Sequence, residues 1–229
     1  MTLVLAHRGA TGDGPHPPPP GAGENTVAAF AAARRVGADG VELDVRRCAD
    51  GALVVHHDPD IEGVGPIAET PARALPAHVP LLGAALDACV GMLVNVEVKS
   101  DGDDFLPRTV AAALAARGGV DRVVVSSFDR ACVDAVRAAD PDLAVAWLLG
   151  WTADWRAALA IAADRGDEGV HPFVTLVDAE LVALAHEAGL AVRVWTVNED
   201  RDLRAMAGLG VDAVITDRPA AALAVVRPH

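Results

Sequence analysis

The sequence predicts an α/β chain folded as a single (β/α)8 TIM barrel. Three observations predict it. Short apolar runs alternate strictly with stretches of helical period, which implies a parallel sheet. Eight such units fit within 229 residues, the size of one barrel domain covering 1–229. The rival fold, an open doubly wound sheet, calls for a G-x-G-x-x-G turn after the first strand, and His7-Arg8-Gly9-Ala10 is not one.

Each element has its own signal. Leu3 to Ala6 reads as the first strand, ending in His7-Arg8-Gly9. A loop over 10–23 follows, stiffened by Pro17-Pro18-Pro19-Pro20 between glycines. Asn25 or Thr26 is placed to cap a helix that Gly37 ends. Gly40 to Arg46 is the second strand, and Leu53 to His57 a short strand paired to it across Asp50-Gly51. Asp58 to Pro80 is expected to be irregular, and Leu81 to Val90 a short helix. The remaining strands are expected at Leu93 to Lys99, Arg122 to Ser127, Leu143 to Leu149, Gly169 to Pro172, Ala191 to Val197 and Ala213 to Thr216. The helices between and after them are expected over 106–117, 129–139, 154–164, 178–188, 199–209 and 220–226, several closed by Gly or Asp-Pro.

Composition narrows the function. Hydrophobic residues make up 52 %, enough for a large core without disulfides. A net charge of -13 argues against nucleic acid and anionic membrane surfaces as partners, yet leaves room for a small anionic substrate held by a metal and a few local cations. Three cysteines (Cys48, Cys89, Cys132), with no C-x-x-C, fit reduced thiols in a cytoplasmic protein. No signal peptide and no apolar run long enough for membrane insertion are read.

The chemistry gathers at strand ends. In Gly40-Val41-Glu42-Leu43-Asp44-Val45-Arg46, Glu42 and Asp44 share one face of a strand whose other face is apolar. Like charges on an interior face repel and cost desolvation, and a hard divalent cation relieves both. Barrel enzymes carry their chemistry at the C-terminal ends of the strands. Those ends here hold His7 and Arg8, Glu42 and Asp44, His57, Glu97 and Lys99, Ser126 and Ser127, His171, and Trp195. Glu42, Asp44 and Glu97 are a candidate ligand set for one divalent cation, Mg²⁺ or Ca²⁺. Arg8 and Lys99 are positioned to hold an anion beside it, as in phosphoryl transfer. His7 and His57 are the candidate general acid and base. No G-x-S-x-G elbow occurs, which disfavours acyl transfer.

These residues resemble the glycerophosphodiester phosphodiesterase family. The resemblance rests on His7-Arg8-Gly9, Glu24-Asn25-Thr26, Gly37 to Val45, Val55-His56-His57-Asp58, Asn95-Val96-Glu97-Val98-Lys99, Ser126-Ser127-Phe128, Val194 to Asn198 and Gly210 to Pro219, in family order across nearly the whole chain. It implies a barrel hydrolase that splits glycerophosphodiesters into sn-glycerol 3-phosphate and an alcohol. Within it His7 and His57 look like the acid/base pair, Glu42, Asp44 and Glu97 like metal ligands, and Arg8 and Lys99 like phosphate contacts. Glu24 looks like a contact near the metal and the glycerol hydroxyls, and Trp195 like the wall beside the glycerol. In such enzymes the substrate's own 2-hydroxyl attacks phosphorus, and a cyclic phosphate is then hydrolysed. Two departures stand out. The loop before Glu24 is long and Pro-rich, a candidate lid, and the Asp58 to Pro80 segment is short, which bears on the identity of the alcohol. A related phosphodiesterase acting on a lysophospholipid or another phosphodiester is the alternative, and a non-catalytic phosphate-binding protein a remoter one.

Several single residues carry further expectations. His56 and His57 alternate in direction, so only one should face the pocket; the resemblance, in which that histidine directly precedes Asp58, implies His57. His171 is either a residue behind the site or a satisfied core histidine, and His16, His78, His186 and His229 are expected at the surface. If Trp195 faces inward, Arg193 does too, and then requires a carboxylate, for which Glu97 or Asp212 is the candidate; otherwise a bulge turns the strand. Trp147 is expected in the core and Trp151 on the pocket. The Asp101 to Asp104 run is expected to start a helix, with weak Ca²⁺ binding as its functional reading.

Overall fold

Parallel strands cannot be joined by tight turns, so each must be followed by a crossover, and a right-handed helix is the crossover that packs back on the sheet. A computed structural model, which describes residues 1–12, 23–100, 102, 105–119 and 121–227, shows this arrangement closed on itself. Eight parallel strands form the wall: β1 (Leu3–His7), β2 (Gly40–Arg47), then, counting the short strands described below, β6 (Leu93–Val98), β7 (Val123–Ser127), β8 (Ala144–Leu149), β9 (Gly169–Pro172), β10 (Ala191–Val194) and β11 (Ala213–Thr216). β1 pairs with both β11 and β2, which closes the barrel. The helices are α1 (Val27–Val36), α2 (Leu82–Ala88), α3 (Phe105–Arg117), α4 (Arg130–Ala139), α5 (Trp155–Arg165), α6 (Ala179–Glu187), α7 (Asp200–Leu209) and α8 (Pro219–Val226).

The helix ends follow side-chain chemistry. Thr26 caps α1 by accepting from the Ala29 N–H, and Gly37 closes it at φ 85°. Asp129, Asp154 and Asp178 cap α4, α5 and α6 in the same way. Most of the core lies between strands and helices, with Val41, Leu43 and Val45 of β2 packed outward against it. Inside the barrel the apolar filling is small: Leu5, Ala213 and Ile215, with Leu3, Leu93 and Trp195 against them. Gly40 is required where β2 meets β6, since a Cβ there would overlap the Leu93 carbonyl.

Three expectations shift. The strand after the Asp50-Gly51 turn is β3 (Leu53–Val55), antiparallel to β2, so His56 and His57 lie beyond it. The segment from Asp58 to Pro80 is not wholly irregular. It holds a two-stranded ribbon, β4 (Asp60–Ile61) with β5 (Gly65–Pro66), and two 3₁₀ turns. Ile61 and Ile67 anchor it on Cys48 and Val54. The seventh barrel strand stops at Val194, and Trp195 beyond it keeps only an isolated bridge to Phe173. The Pro17–Pro20 loop and its lid reading, His16, His229, and Asp101, Asp103 and Asp104 lie outside the described residues. No helix among the described residues is long and apolar enough to cross a membrane.

Candidate active site

The parallel register sets Asp44 of β2 beside Glu97 of β6, and the two-residue repeat brings Glu42 onto the same inward face as Asp44. One carboxylate oxygen from each of the three lies within 4.8 Å of the others, and all three residues are buried. Lys99 leaves β6 on the same side, with Nζ 2.9 Å from Asp44 Oδ1 and also on Glu97 Oε1. Arg8 brings Nε to 3.3 Å from Asp44 Oδ2 and Nη1 to 2.8 Å from Glu24 Oε1. Its backbone N–H donates to Glu42 Oε2 at 3.1 Å. Arg8 (φ 56°) and Asn25 (φ 58°) both sit in the left-handed region, a conformation that persists where the surroundings over-determine it. Asn25 is so held: its Nδ2 donates to Asp44 Oδ2 at 2.7 Å, and its Oδ1 accepts from the Asp44 N–H at 3.3 Å.

Burial sets the charge states, and the neighbours modify them. Burial, then Asp44 and Glu97, raise the Glu42 carboxyl well above the usual range, against the weaker pull of Lys99 and Arg8. For Asp44 burial pushes upward too, but Lys99, Arg8 and the Asn25 amide together hold it below the usual range. Burial raises Glu97, only partly offset by Lys99. For Lys99 burial favours the neutral amine, yet Glu97 and Asp44 overcome it and keep the ammonium. Three carboxylates thus share too little positive charge. Glu42 Oε1 is buried without a hydrogen-bond partner, and hard oxygen donors with an open lone pair fit a divalent cation.

Two imidazoles flank this cluster, each anchored by a carboxylate. His7 Nδ1 lies 2.6 Å from Asp217 Oδ1, and its Nε2 is 3.9 Å from Glu42 Oε2. Asn198 fixes Asp217 twice, donating from Nδ2 to Oδ2 at 2.6 Å and accepting the Asp217 N–H at 2.9 Å. The His7 hydrogen bond is the main reason the Asp217 carboxyl titrates below its usual range. His57 Nδ1 lies 2.8 Å from Asp58 Oδ1, whose carboxyl it lowers, and Arg46 holds the His57 carbonyl with two N–H groups.

A cavity of about 100 Å³ lies between them. His7, Arg8, Glu42, His57, Glu97 and Lys99 line its charged half, and Phe128, Leu148, Trp195 and Ile215 its apolar half. The pocket-facing histidine is His57, the one the resemblance implies; both histidines lie beyond β3, so strand alternation does not decide between them. Glu24 sits at the mouth, half-exposed on Arg8. Trp195 faces inward, its Nε1 donating to the His171 carbonyl at 2.7 Å.

The partner assigned to Arg193 needs correction. Arg193 is inward and buried, but it pairs with Glu168, Nη1 to Oε2 and Nη2 to Oε1, both at 2.5 Å. Glu168 immediately precedes β9, so the guanidinium reaches toward the N-terminal end of the barrel, away from Glu97. Asp212 is occupied by His186 and the Val192 N–H. His171 is fully buried, yet its Nδ1 has no partner, so it is not a satisfied core histidine. Burial, with Arg193 beside it, pushes its pKa well below the ordinary value and keeps it neutral. Trp151 does not line the cavity; it is 69 % exposed and meets Phe173 edge-on. Trp147 is half-buried, with Nε1 donating to the Phe128 carbonyl.

Asp217, Asn198 and the clamp by Asn25 escaped the sequence reading. Asp217 carried a usable signal: it directly follows the last strand, at the same rim as every other site residue. Asn198 carried the same signal, since it directly follows the expected seventh strand, and it reaches Asp217 because β10 and β11 are neighbouring parallel strands.

The model of the glycerophosphoryl diester phosphodiesterase family matches residues 7–78 and 64–221. A glycerophosphodiester phosphodiesterase of Caldanaerobacter subterraneus subsp. tengcongensis is 31 % identical, over 99 % of this chain and 98 % of that protein. The crystal structure of a glycerophosphodiester phosphodiesterase from Agrobacterium tumefaciens matches with a TM-score of 0.78 at 25 % identity, covering 96 % of this chain and 98 % of that one. An Oleispira antarctica phosphodiesterase, solved with the product sn-glycerol-3-phosphate, shares the fold with a TM-score of 0.85 at 24 % identity, covering 99 % of this chain and 97 % of that one. With the match spread over the whole barrel and its charged rim, the chain belongs to the glycerophosphoryl diester phosphodiesterase family, and its activity is glycerophosphodiester hydrolysis.

Proposed function

We propose that the protein is a metal-dependent phosphodiesterase of the cytoplasm, working as one barrel domain over 1–229, that releases sn-glycerol 3-phosphate and an alcohol. The observation that carries this reading is the pair of carboxylate-anchored imidazoles flanking a buried three-carboxylate cluster in one cavity. Glu42, Asp44 and Glu97 hold one Mg²⁺ or Ca²⁺. That cation, when bound, supplies Lewis-acid stabilisation of charge on the phosphoryl oxygens. Arg8 and Lys99, which already lie against the carboxylates that would hold the cation, hold the phosphate beside it. Glu24 steadies Arg8 and meets the glycerol hydroxyls, and Trp195 packs on the glycerol carbons. The three free, buried cysteines support the cytoplasmic placement.

Proton traffic runs through His7 and His57. With Nδ1 of each donating to Asp217 or Asp58, Nε2 is the atom that exchanges protons with the substrate. One imidazole takes the proton of the attacking glycerol 2-hydroxyl, while the other, as imidazolium, protonates the departing alcohol as its P–O bond breaks. In the second step the roles reverse. Water loses a proton to the imidazole that has just given one up and its oxygen bonds to phosphorus, while the bond from phosphorus to the glycerol 2-oxygen in the cyclic phosphate breaks and that oxygen takes a proton from the other imidazolium. The net change is one water added across one P–O bond.

The test is ³¹P NMR of the protein with glycerophosphocholine in Mg²⁺, in Ca²⁺ and in EDTA. Glycerol 3-phosphate forming only with metal is the expected result. Turnover in EDTA, or turnover retained by Glu42→Ala or His57→Ala, would refute the reading.

A further inference from the structure

Below the catalytic cavity the barrel interior holds polar side chains that the reaction does not use. In a closed barrel, alternate strands supply each layer of inward side chains. Following the register from strand to strand round the closed sheet sorts them into layers. His7, Glu97, Leu148 and Trp195 form the layer round the catalytic cavity. Glu42, Ser126, His171 and Ile215 form the layer beneath it, and Leu5, Asn95, Ala146 and Arg193 the next. β2 and β9 lie opposite each other in the closed sheet, so Glu42 and His171 face one another across their layer.

Asn95, Ser126 and His171 are each 0 % exposed. Among the described residues, Ser126 Oγ, His171 Nδ1 and both amide atoms of Asn95 have no hydrogen-bond partner, and neither has Glu42 Oε1. A buried polar atom left unpaired is costly, and a group of them in one place calls for a shared partner. The atoms say what that partner is. Arg193 Nη1 lies 3.4 Å from His171 Nε2. A guanidinium only donates, so Nε2 accepts, and the neutral imidazole carries its proton on Nδ1. Nδ1 is thus a donor, Glu42 Oε1 an acceptor, and Asn95 and Ser126 are both. A small molecule that donates and accepts meets all of them, and water is that molecule. There is room for it. Ser126 pairs in register with Ala146, and Ala146 with Gly169, so the inner wall between Asn95 and His171 carries only a hydroxymethyl, a methyl and a hydrogen.

We propose that Asn95, Ser126 and His171 hold structural water beneath the carboxylate cluster, and that this water bonds Glu42 and positions it for the cation. The inference rests on the metal-dependent reading above and adds three positioning residues to it. A carboxylate oxygen has two lone pairs, one for water below and one for a cation above. Hydrogen bonds of this kind orient metal ligands, and their loss weakens metal binding about ten- to a hundredfold.

The test combines isothermal titration calorimetry with Mg²⁺ or Ca²⁺ alone and a high-resolution crystal structure of the metal-free protein. A Gln side chain mimics Nε2 of histidine, and an Asn side chain mimics Nδ1. His171→Gln keeps the contact with Arg193 and removes the inner donor, so cation binding should weaken about ten- to a hundredfold. His171→Asn keeps the inner donor and should bind the cation as wild type does. The opposite order would make His171 a partner of Arg193 alone and overturn the proposal. Ser126→Ala is the milder variant should the others fail to fold. It should weaken cation binding too, and lower the Tm of the metal-free protein by taking a partner from the water. A higher Tm would mark Ser126 as a dry, unpaired hydroxyl and overturn the proposal. In the crystal, water is expected within about 3.2 Å of His171 Nδ1 and Ser126 Oγ. Side chains bonded directly to one another there would overturn it. Water in place in a wild-type protein that binds no cation would support the water site and defeat the metal reading instead.

Discussion

Replacing Asp217 by Asn tests whether His7 acts through its Nδ1 partner. The side chains are isosteric, so the fold has no reason to change. The difficulty is Asn198, whose amide nitrogen already donates to Asp217 Oδ2 at 2.6 Å. If the introduced amide keeps its oxygen on His7, its nitrogen faces the Asn198 nitrogen, donor against donor. If it turns over, it presents an N–H to His7 Nδ1, and the imidazole must move its proton to Nε2, the wrong tautomer for a base. Either way a charge-assisted hydrogen bond is lost, about 1.5–3 kcal/mol in general. Asp217 is about half-exposed, so water screens the pair and the lower end applies. At about 1.4 kcal/mol per tenfold in rate, kcat/KM should fall roughly ten- to thirtyfold, mostly in kcat. The assay is the pH profile of kcat/KM with glycerophosphocholine and saturating metal. The limb due to His7 should move while that due to His57 stays in place. A kcat/KM within twofold of wild type and an unshifted profile would refute the argument.

The same structure makes other predictions. Because the folded Asp217 carboxyl titrates below its unfolded value, the pair with His7 stabilises the fold above the ordinary carboxylate range and loses that effect as pH falls through the depressed value; in Asp217→Asn the acid limb of Tm against pH should be shallower. Glu42→Gln should abolish metal-dependent turnover yet raise the Tm of the metal-free protein by about 2–4 °C for each kcal/mol of relieved repulsion, and a lower Tm in EDTA would contradict the crowding of charge described above. Since the metal-free Glu42 carboxyl is held protonated to higher pH than usual, Mg²⁺ or Ca²⁺ affinity should rise with pH and binding should release a proton, which calorimetry in buffers of different ionisation enthalpy reads directly. Glu168→Ala strands the buried Arg193 guanidinium and should cost about 2–3 kcal/mol in urea unfolding, the lower end for a pair broken on a partly exposed side, with the kcat of residual folded enzyme unchanged.

The three buried thiols have no part in these predictions. Burial pushes Cys48 up to about 11 and Cys89 up to about 12, so neither is a thiolate at neutral pH.

Much of the site was legible because strands obey a short repeat. Glu42 with Asp44, and Glu97 with Lys99, are two apart, and that alone fixed their common faces. His7 and His57 could be read as rim residues because each follows an apolar strand-like run. The misreadings came from long-range geometry. Arg193 was rightly turned inward by its spacing from Trp195, but which carboxylate it meets depends on depth inside the barrel, and Glu168 is met at the opposite end from Glu97. Trp151, near the pocket in sequence, is carried outward by the loop before α5.

What the sequence determined by itself is therefore local: alternating strand and helix, the caps, and which side chains share a face, all consequences of backbone periodicity and of side chains bonding to nearby N–H groups. What only the tertiary structure decided is who meets whom across the closed barrel. His7 finds Asp217 across 210 positions of chain. Asn25 clamps Asp44, and three carboxylates from two strands come within 4.8 Å of one another. The physical reason is that the closure and stagger of the sheet, set by the pairing of β1 with both β2 and β11, assign each inward side chain its depth and its neighbours.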